Sequence, residues 1–456
     1  MSAAVPPARQ PRRLLECADA TSSPIGSCVS WASRFRVRQY VTGSLWVVPL
    51  VGAVLGVVLG SVDVLVDRSV HLPAEFTYSA STASTVLSSI VGGAAALTGF
   101  VVTVTVLVVQ MATQTFSARY MRLWYRDRVL KALLALLVAA LSFSFTLLRH
   151  VEHKFVPNLG TTIAGFLLLL GLMLFVIFLD RMLHRLRPVA VAALVSDYLE
   201  RDFTRLIATL TAPEIFWGRP GETGGTPQLV ARCARRGAIQ AIDVAGLHSW
   251  ALSHDRLVVV RHAVGDFVPA QAVLIEVFGD GPADPGDEQR LRRMVVLGVE
   301  RTIEQDPGFA IRIMVDIADK ALSAAINDPT TAVQVINYLG ESLRMIGTAD
   351  VSESRFTGVA AERRGVVIPV RSWEEYLALA TTEIRDYGAS SIQVIRRLRA
   401  MLEELLEELP ERRREPVREE LRRLAATVGR SFGESVDLDR ARIADPQGMG
   451  GTSPTG

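Results

Sequence analysis

The stretch SSIVGGAAALTGFVVTVTVLVVQMATQTF, from Ser88 to Phe116, carries no charged residue over a length greater than a membrane crossing requires. A helix needs roughly 20 mostly apolar residues to cross the hydrocarbon core of a bilayer. Three further charge-free runs lie before residue 180, and no soluble core would need four of them so close together. The sequence therefore predicts a four-helix transmembrane bundle within residues 31–188, with spans near 41–62, 86–111, 130–149 and 160–179.

The positive charges predict the orientation of this bundle. Arginines cluster before the first span, between the second and third, and after the fourth, at Arg34, Arg36, Arg38, Arg119, Arg122, Arg126, Arg128, Arg181, Arg185 and Arg187. The opposite loops carry Arg68, Arg149 and Lys154. Because loops rich in arginine and lysine stay inside, we expect both termini and everything after residue 180 to be cytoplasmic. The basic, aromatic loop at 114–128 binds anionic lipid head groups, closes a cytoplasmic gate or only sets the topology.

The quoted stretch also holds small and polar residues at helical spacing. Gly92, Gly99, Thr103 and Gln110 fall on one helical face. Such a face lines a pore, where hydroxyls and an amide replace water around a solute, or it packs closely against a neighbouring helix. Close packing is the commoner use, and a pore built from only four spans per chain would require oligomers.

After the fourth span the chain reads as an ordinary soluble α+β protein. We expect an amphipathic helix and linker at 189–236, a small β module at 237–280 and a helical domain at 281–432, with disordered tails at 1–30 and 433–456. The β module resembles half of the barrel-sandwich of biotinyl and lipoyl carriers, but it contains no lysine for a prosthetic group. Helices are predicted at 287–304, 307–322, 329–345, 373–409 and 415–428. The fold class is thus a membrane α-helical bundle followed by a cytoplasmic α+β domain.

A compact polar knot, Asn327-Asp328-Pro329-Thr330-Thr331, separates two of these helices. An Asp-Pro pair is an N-cap followed by proline at the first helical position, and the same pair recurs at Asp306-Pro307. Capping leaves Asn327 unexplained, so the corner is either purely structural or part of a polar site. The candidate residues of that site are Arg312, Asp316, Lys320, Asn327, Asp328 and Thr331.

Several function classes find little support in the sequence. Lysine and arginine number 49 against 47 acidic residues, which gives no case for nucleic-acid binding. The three cysteines and the histidines show no metal-ligand spacing, and the motifs of phosphate loops, hydrolases and zinc proteases are absent from the sequence. We therefore expect no catalytic, cofactor or metal site.

Four segments carry a family resemblance: TGSLWVVP before the first span, TQTFSARYMR after the second, RTIEQDPGFAIRIMVDIADKALSAAINDPTTAV and EIRDYGASSIQVIRRL. Together they resemble a family of bacterial predicted inner-membrane proteins catalogued only as a domain of unknown function. Ala324 stands where that family more often has proline. The resemblance covers roughly residues 31–430 and implies four membrane helices, a cytoplasmic domain and a location in the bacterial inner membrane, but no activity and no site.

Two functional hypotheses remain. The leading one is an oligomeric channel or transporter whose cytoplasmic domain assembles or gates it, in contact with membrane lipids. The alternative is a non-enzymatic, membrane-tethered scaffold or regulator that binds a partner or ligand through its cytoplasmic domain.

Overall fold

The computed structural model of the chain describes residues 30–67, 77–115, 127–152, 155–185, 187–218, 225–281, 284, 286–349, 364–433 and 436–449. Its first part contains the helices α1 (Trp31–Gly43), α2 (Val47–Asp67), α3 (Ala80–Thr115), α4 (Arg128–Leu148) and α5 (Asn158–Arg185). The last four are long and apolar enough to cross a membrane, which confirms the prediction of four apolar spans. The predicted tail before residue 30 and most of the loop at 114–128 lie outside the described residues.

The first predicted span begins later than expected because α1 is a separate helix. Helix α1 ends at Gly43, where Ser44 turns to an extended backbone, and α2 begins at Val47. The arginines of α1 keep this helix out of the apolar core, so it forms a short element at the end of the bundle.

Helix α4 is the centre of the bundle and packs against α2, α3 and α5. Its Leu133, Leu137 and Ala140 are fully buried. A Cβ atom added to Gly52 or Gly56 of α2 would overlap the carbonyl oxygen of Ala135 or Ala139 in α4. Glycines at four-residue spacing let two helix backbones approach in this way, and dispersion contacts along that line hold α2 to α4.

Helix α6 (Pro188–Leu210) leads from α5 into the C-terminal domain, whose first part is built on two sheets. The described strands are β1 (Ile215–Trp217), β2 (Leu229–Arg232), β3 (Gly237–Ile242), β4 (Leu257–Val260), β5 (Phe267–Val268), β6 (Val273–Phe278), β7 (Val295–Gly298) and β8 (Gly365–Ile368), with the helices α7 (Val244–Ser253) and α8 (Asp287–Arg292). The orders are β1-β8-β4-β6-β2 and β5-β3-β7, and β8 runs parallel to both of its neighbours. Both sheets and α7 share one apolar core.

This arrangement corrects two expectations. The β region is wider than 237–280, since β1, β2, β7 and β8 come from outside that range. The described strands give one mixed and one antiparallel sheet without confirming a barrel-sandwich. The single helix predicted at 287–304 ends at Arg292, because the apolar run at 295–298 pairs with β3 as strand β7. A short apolar run suits a strand and a buried helix equally well, and here strand pairing decides.

The rest of the C-terminal domain is helical: α9 (Pro307–Leu322), α10 (Pro329–Thr348), α11 (Trp373–Tyr387), α12 (Ile392–Glu408), α13 (Arg414–Phe432) and α14 (Val436–Ala441). Helices α9 and α10 pack against α6, and one continuous core extends from them to Val108, Leu130 and Met182 of the bundle. The domain is therefore joined to the bundle by packed side chains as well as by the chain itself.

Two predicted boundaries differ in this helical part. The long helix at 373–409 is divided at Gly388, and Ser391 caps the second half, α12. The sequence predicts a disordered tail at 433–456, but residues 436–449 pack on α12. Ala441 is fully buried, and Gln393 Nε2 donates to the Gly448 carbonyl at 2.6 Å.

Candidate functional site

The two Asp-Pro corners cap helices α9 and α10. Asp306 Oδ1 accepts the Phe309 N–H at 3.0 Å, and Asp328 Oδ1 accepts the Thr331 N–H at 3.0 Å. The Thr331 hydroxyl donates to the other oxygen of Asp328. These bonds satisfy amide groups that a helix start would otherwise leave unpaired.

Asn327 has a backbone explanation. Its φ is +50°, in the left-handed region, and its N–H donates to the Ser323 carbonyl at 2.8 Å, while its side chain is exposed. Asparagine tolerates this conformation better than other residues with a side chain. The residue that capping left unexplained is therefore the one that reverses the chain between α9 and α10.

Arg312 belongs to a different cluster that joins α9 to α11. Its guanidinium lies 2.6 Å from Asp316, 2.5 Å from Glu383 and 3.8 Å from Asp319. Burial and the neighbouring Glu383 raise the pKa of Asp319 to about 8. This cluster links two helices through one shared cation.

The predicted polar site thus separates into two structural groups. Asn327, Asp328 and Thr331 form the corner, whereas Arg312 and Asp316 turn towards α11, and the carbonyl of Lys320 accepts the Ser323 hydroxyl at 2.7 Å. None of the six is among the described residues that line the cavity presented below.

The face predicted on the second span lies at the surface of the chain. Gly92, Gly99, Thr103 and Gln110 of α3 are all exposed, and a Cβ atom added to either glycine would meet nothing within 4 Å. Within one chain these glycines therefore do not mediate close packing. Gly52 and Gly56 of α2 have that role instead, and their four-residue spacing is the sequence signal that could have identified it.

A cavity of about 800 Å³, which the sequence does not predict, lies between the bundle and the C-terminal domain. It is lined by α1, by the first turns of α2 and α4, by α6, by the segments around 242–245 and 304–307, and by the segment after β8. No local sequence pattern marks it, because its residues come from elements far apart in the chain.

Several charges around the cavity have structural partners. Lys131 Nζ donates to the carbonyls of Val41 and Thr42 at 3.2 and 2.5 Å and so fixes the end of α1 to α4. Asp306 accepts from Arg301 Nη2 at 2.7 Å, and burial raises the pKa of Asp306 in spite of that arginine. Gly265, with φ +94°, leaves room for this pair, since a Cβ there would collide with it.

Comparisons with known proteins agree with this architecture. A family model described as "Predicted membrane protein (DUF2254)" matches residues 42–404. Uncharacterized proteins from two strains of Mycobacterium tuberculosis and from Mycobacterium bovis are each 28% identical over 387 residues, which is 81% of this chain and 73% of theirs. No solved structure matches the chain. Because the family match runs from the end of α1 to α12, the chain belongs to this family of predicted membrane proteins, DUF2254.

Proposed function

We propose that the protein is an oligomeric conduit of the bacterial inner membrane, a channel or transporter, with the C-terminal domain on the cytoplasmic side. The exposed face of α3 carries this proposal. It presents small and polar residues on the side of α3 that the rest of the chain leaves uncovered: Ser81, Thr82, Thr85, Ser88, Ser89, Gly92, Ala96, Gly99, Thr103 and Gln110.

Such a face is poorly suited to lipid. Hydroxyls in a bilayer satisfy themselves on their own helix, as Thr103 does on the Gly99 carbonyl at 2.9 Å, but they still offer lone pairs that lipid cannot use. Contact with further copies of α3 or with water satisfies them, and open space at Gly92 and Gly99 lets another helix approach closely.

The path of a solute would run between copies. Leu133, Leu137 and Phe143 of α4 fill the middle of the single-chain bundle, so the proposed path follows the outer face of α3 instead. The continuous core from α9 and α10 to the bundle supports a gating role for the C-terminal domain, because movement of one part displaces the other. The distribution of arginines supports its cytoplasmic placement.

Ion or solute flux through liposomes that contain the full chain tests the proposal, together with its stoichiometry in nanodiscs. We expect an oligomer, and we expect Gly99→Leu to reduce flux by filling the space between copies. Gly165→Leu in α5 is the matched control, since that glycine also has open space around it but lies outside the polar face. A monomer without flux, or equal effects of the two substitutions, would contradict the proposal.

The cavity at the junction favours a second candidate function. A membrane-tethered regulator needs a place for a ligand next to the membrane, and this cavity lies at the end of the bundle from which the C-terminal domain extends. Ligand binding there would be compatible with a conduit and also with a scaffold.

A further inference from the structure

Three arginines line the cavity from separate elements: Arg38 in α1, Arg128 at the start of α4 and Arg371 after β8. Among the described residues, none of the three has a carboxylate partner within ion-pair distance, in contrast to most arginines of the C-terminal domain. Arginines that converge on a cavity without carboxylate partners favour an anion.

Most acidic residues of the lining already pair with other arginines or cap a helix. Asp306 is held by Arg301, Asp202 lies 3.4 Å from Arg205, and Asp243 accepts the Gly246 N–H at 3.0 Å as the cap of α7. Glu304 completes the acidic lining. Asp306 also interacts electrostatically with Arg371, so the carboxylates offset the charge of the three guanidinium groups in part.

The first turn of α9 adds a positive potential. Pro307 lines the cavity, and Arg371 Nε stands 2.8 Å from the position that a Cβ of Gly308 would occupy. The Asp306 carboxylate caps this helix start and is also attracted by Arg371, so it offsets part of the positive charge there. The helix start and the guanidinium both still favour a further anion in the cavity beside them.

Gln39 supplies an independent observation. It lines the cavity, and its Nε2 atom is buried without a hydrogen-bond partner in the part of the chain that the structure describes. A buried amide donor without an acceptor costs free energy unless a ligand oxygen completes it.

The apolar residues of the cavity lining indicate that the ligand can carry an apolar group beside its anionic group. Trp31 and Phe35 stack with ring centroids 5.4 Å apart, and Val48 belongs to the first turn of a membrane span. The cavity thus meets the membrane end of the bundle, and its volume of about 800 Å³ is typical of ligand pockets.

We infer that this cavity binds a phosphate-bearing anion, held by Arg38, Arg128, Arg371 and the Gln39 amide. Guanidinium groups bind both carboxylate and phosphate in two-point geometry, but a phosphate group carries more acceptor oxygens to share among three arginines and an amide. An anionic phospholipid and a soluble phosphate monoester share this chemistry. The inference stands independently of the conduit, since it concerns a different part of the molecule.

Binding to the purified full chain in a zwitterionic detergent tests the inference, with phosphatidylglycerol, phosphatidylcholine and glycerol 3-phosphate as probes in native mass spectrometry and calorimetric titration. We expect the double variant Arg38→Gln/Arg371→Gln to weaken anion binding by at least about tenfold, since each charge-assisted hydrogen bond is strong. Gln39→Glu, nearly identical in shape, should weaken binding as well because it places a negative charge against the anion. Arg36→Gln is the matched control, because Arg36 lies on the same helix but outside the lining and donates to the Ala32 carbonyl.

The probes distinguish the source of the phosphate. Binding of phosphatidylglycerol without glycerol 3-phosphate supports a lipid ligand, and binding of both supports a soluble one. Equal binding of phosphatidylcholine and phosphatidylglycerol with no binding of glycerol 3-phosphate, no binding of any probe, or equal losses in the Arg36 and Arg38/Arg371 variants would overturn the inference. Thermal unfolding of each variant shows whether a loss of binding reflects a loss of fold; if the double variant unfolds, Gln39→Glu decides.

Discussion

Replacing Gly56 with alanine tests the close approach of α2 and α4. The new Cβ would stand 3.1 Å from the Ala139 Cα and overlap the Ala139 carbonyl oxygen. The obstacle is backbone in the middle of a helix, so no rotamer change relieves it, and the two helices must separate by several tenths of an ångström. Overpacking of this kind costs about 1–3 kcal/mol, and we expect the variant to lose that much free energy of unfolding.

Gly165→Ala is the matched control for this experiment. It adds the same methyl group to a membrane helix of the same bundle, but at a position with open space and outside the polar face of α3. Alanine favours a helix over glycine by up to about 1 kcal/mol, so this variant should be neutral or slightly stabilised. Unfolding in mixed micelles by titration with sodium dodecyl sulfate, followed by tryptophan fluorescence, measures both variants.

The double variant Gly56→Ala/Ala139→Gly sharpens the interpretation. Removing the Ala139 methyl should not restore stability, because the collision is with the carbonyl oxygen and not with the side chain. Equal midpoints for Gly56→Ala and Gly165→Ala would refute the proposed backbone contact. So would full rescue by Ala139→Gly.

Three further predictions concern other parts of the molecule. The pKa of Asp319 is raised from 3.8 to about 8, so the folded chain keeps a proton that the unfolded chain releases. The free energy of unfolding should therefore fall as the pH rises from about 4 to 8. In thermal scans across that range, Asp319→Asn should flatten this pH dependence. Asn327→Ala should cost about 1 kcal/mol because alanine resists a φ of +50°, while Asn327→Gly should be nearly neutral in denaturant unfolding. Lys131→Met should leave the bundle folded but speed hydrogen exchange of the α1 amides, because the last carbonyls of α1 lose their cationic partner.

The parts of the fold that the sequence predicts well are those with a local cause. A charge-free run long enough to cross a bilayer has few alternatives to a membrane helix, and four such runs became α2 to α5. The starts of α9 and α10 are equally local, since each follows an aspartate whose side chain accepts from the first turn.

The sheets have no such local cause. Strand β8 pairs in parallel with β4, with Val258 opposite Val366, although more than one hundred residues separate them along the chain. The short apolar run at 365–368 suits a strand or a buried helix equally well, and only its pairing partners decide between them. The same ambiguity explains why a helix is predicted at 295–298, where the structure has a strand.

The glycines show why a helical face is easier to predict than its neighbour. Gly52 and Gly56 in α2 and Gly92 and Gly99 in α3 give nearly the same signal, namely small residues on one side of an apolar helix. Only the first pair meets a helix of its own chain. Periodicity identifies a face, but the element that covers it depends on tertiary structure.

The two candidate sites differ in the same way. The polar knot at Asn327–Thr331 attracts attention because its residues adjoin in sequence, but adjacency is also what a helix corner requires, and the left-handed backbone of Asn327 with the cap at Asp328 accounts for both. Arg38, Arg128 and Arg371 are scattered along the chain and line one cavity only when α1, α4 and the segment after β8 surround it. A cluster that folding assembles from distant segments has no capping role to explain it. Its unpartnered charges therefore weigh more as evidence for a ligand than a polar run whose members already satisfy one another.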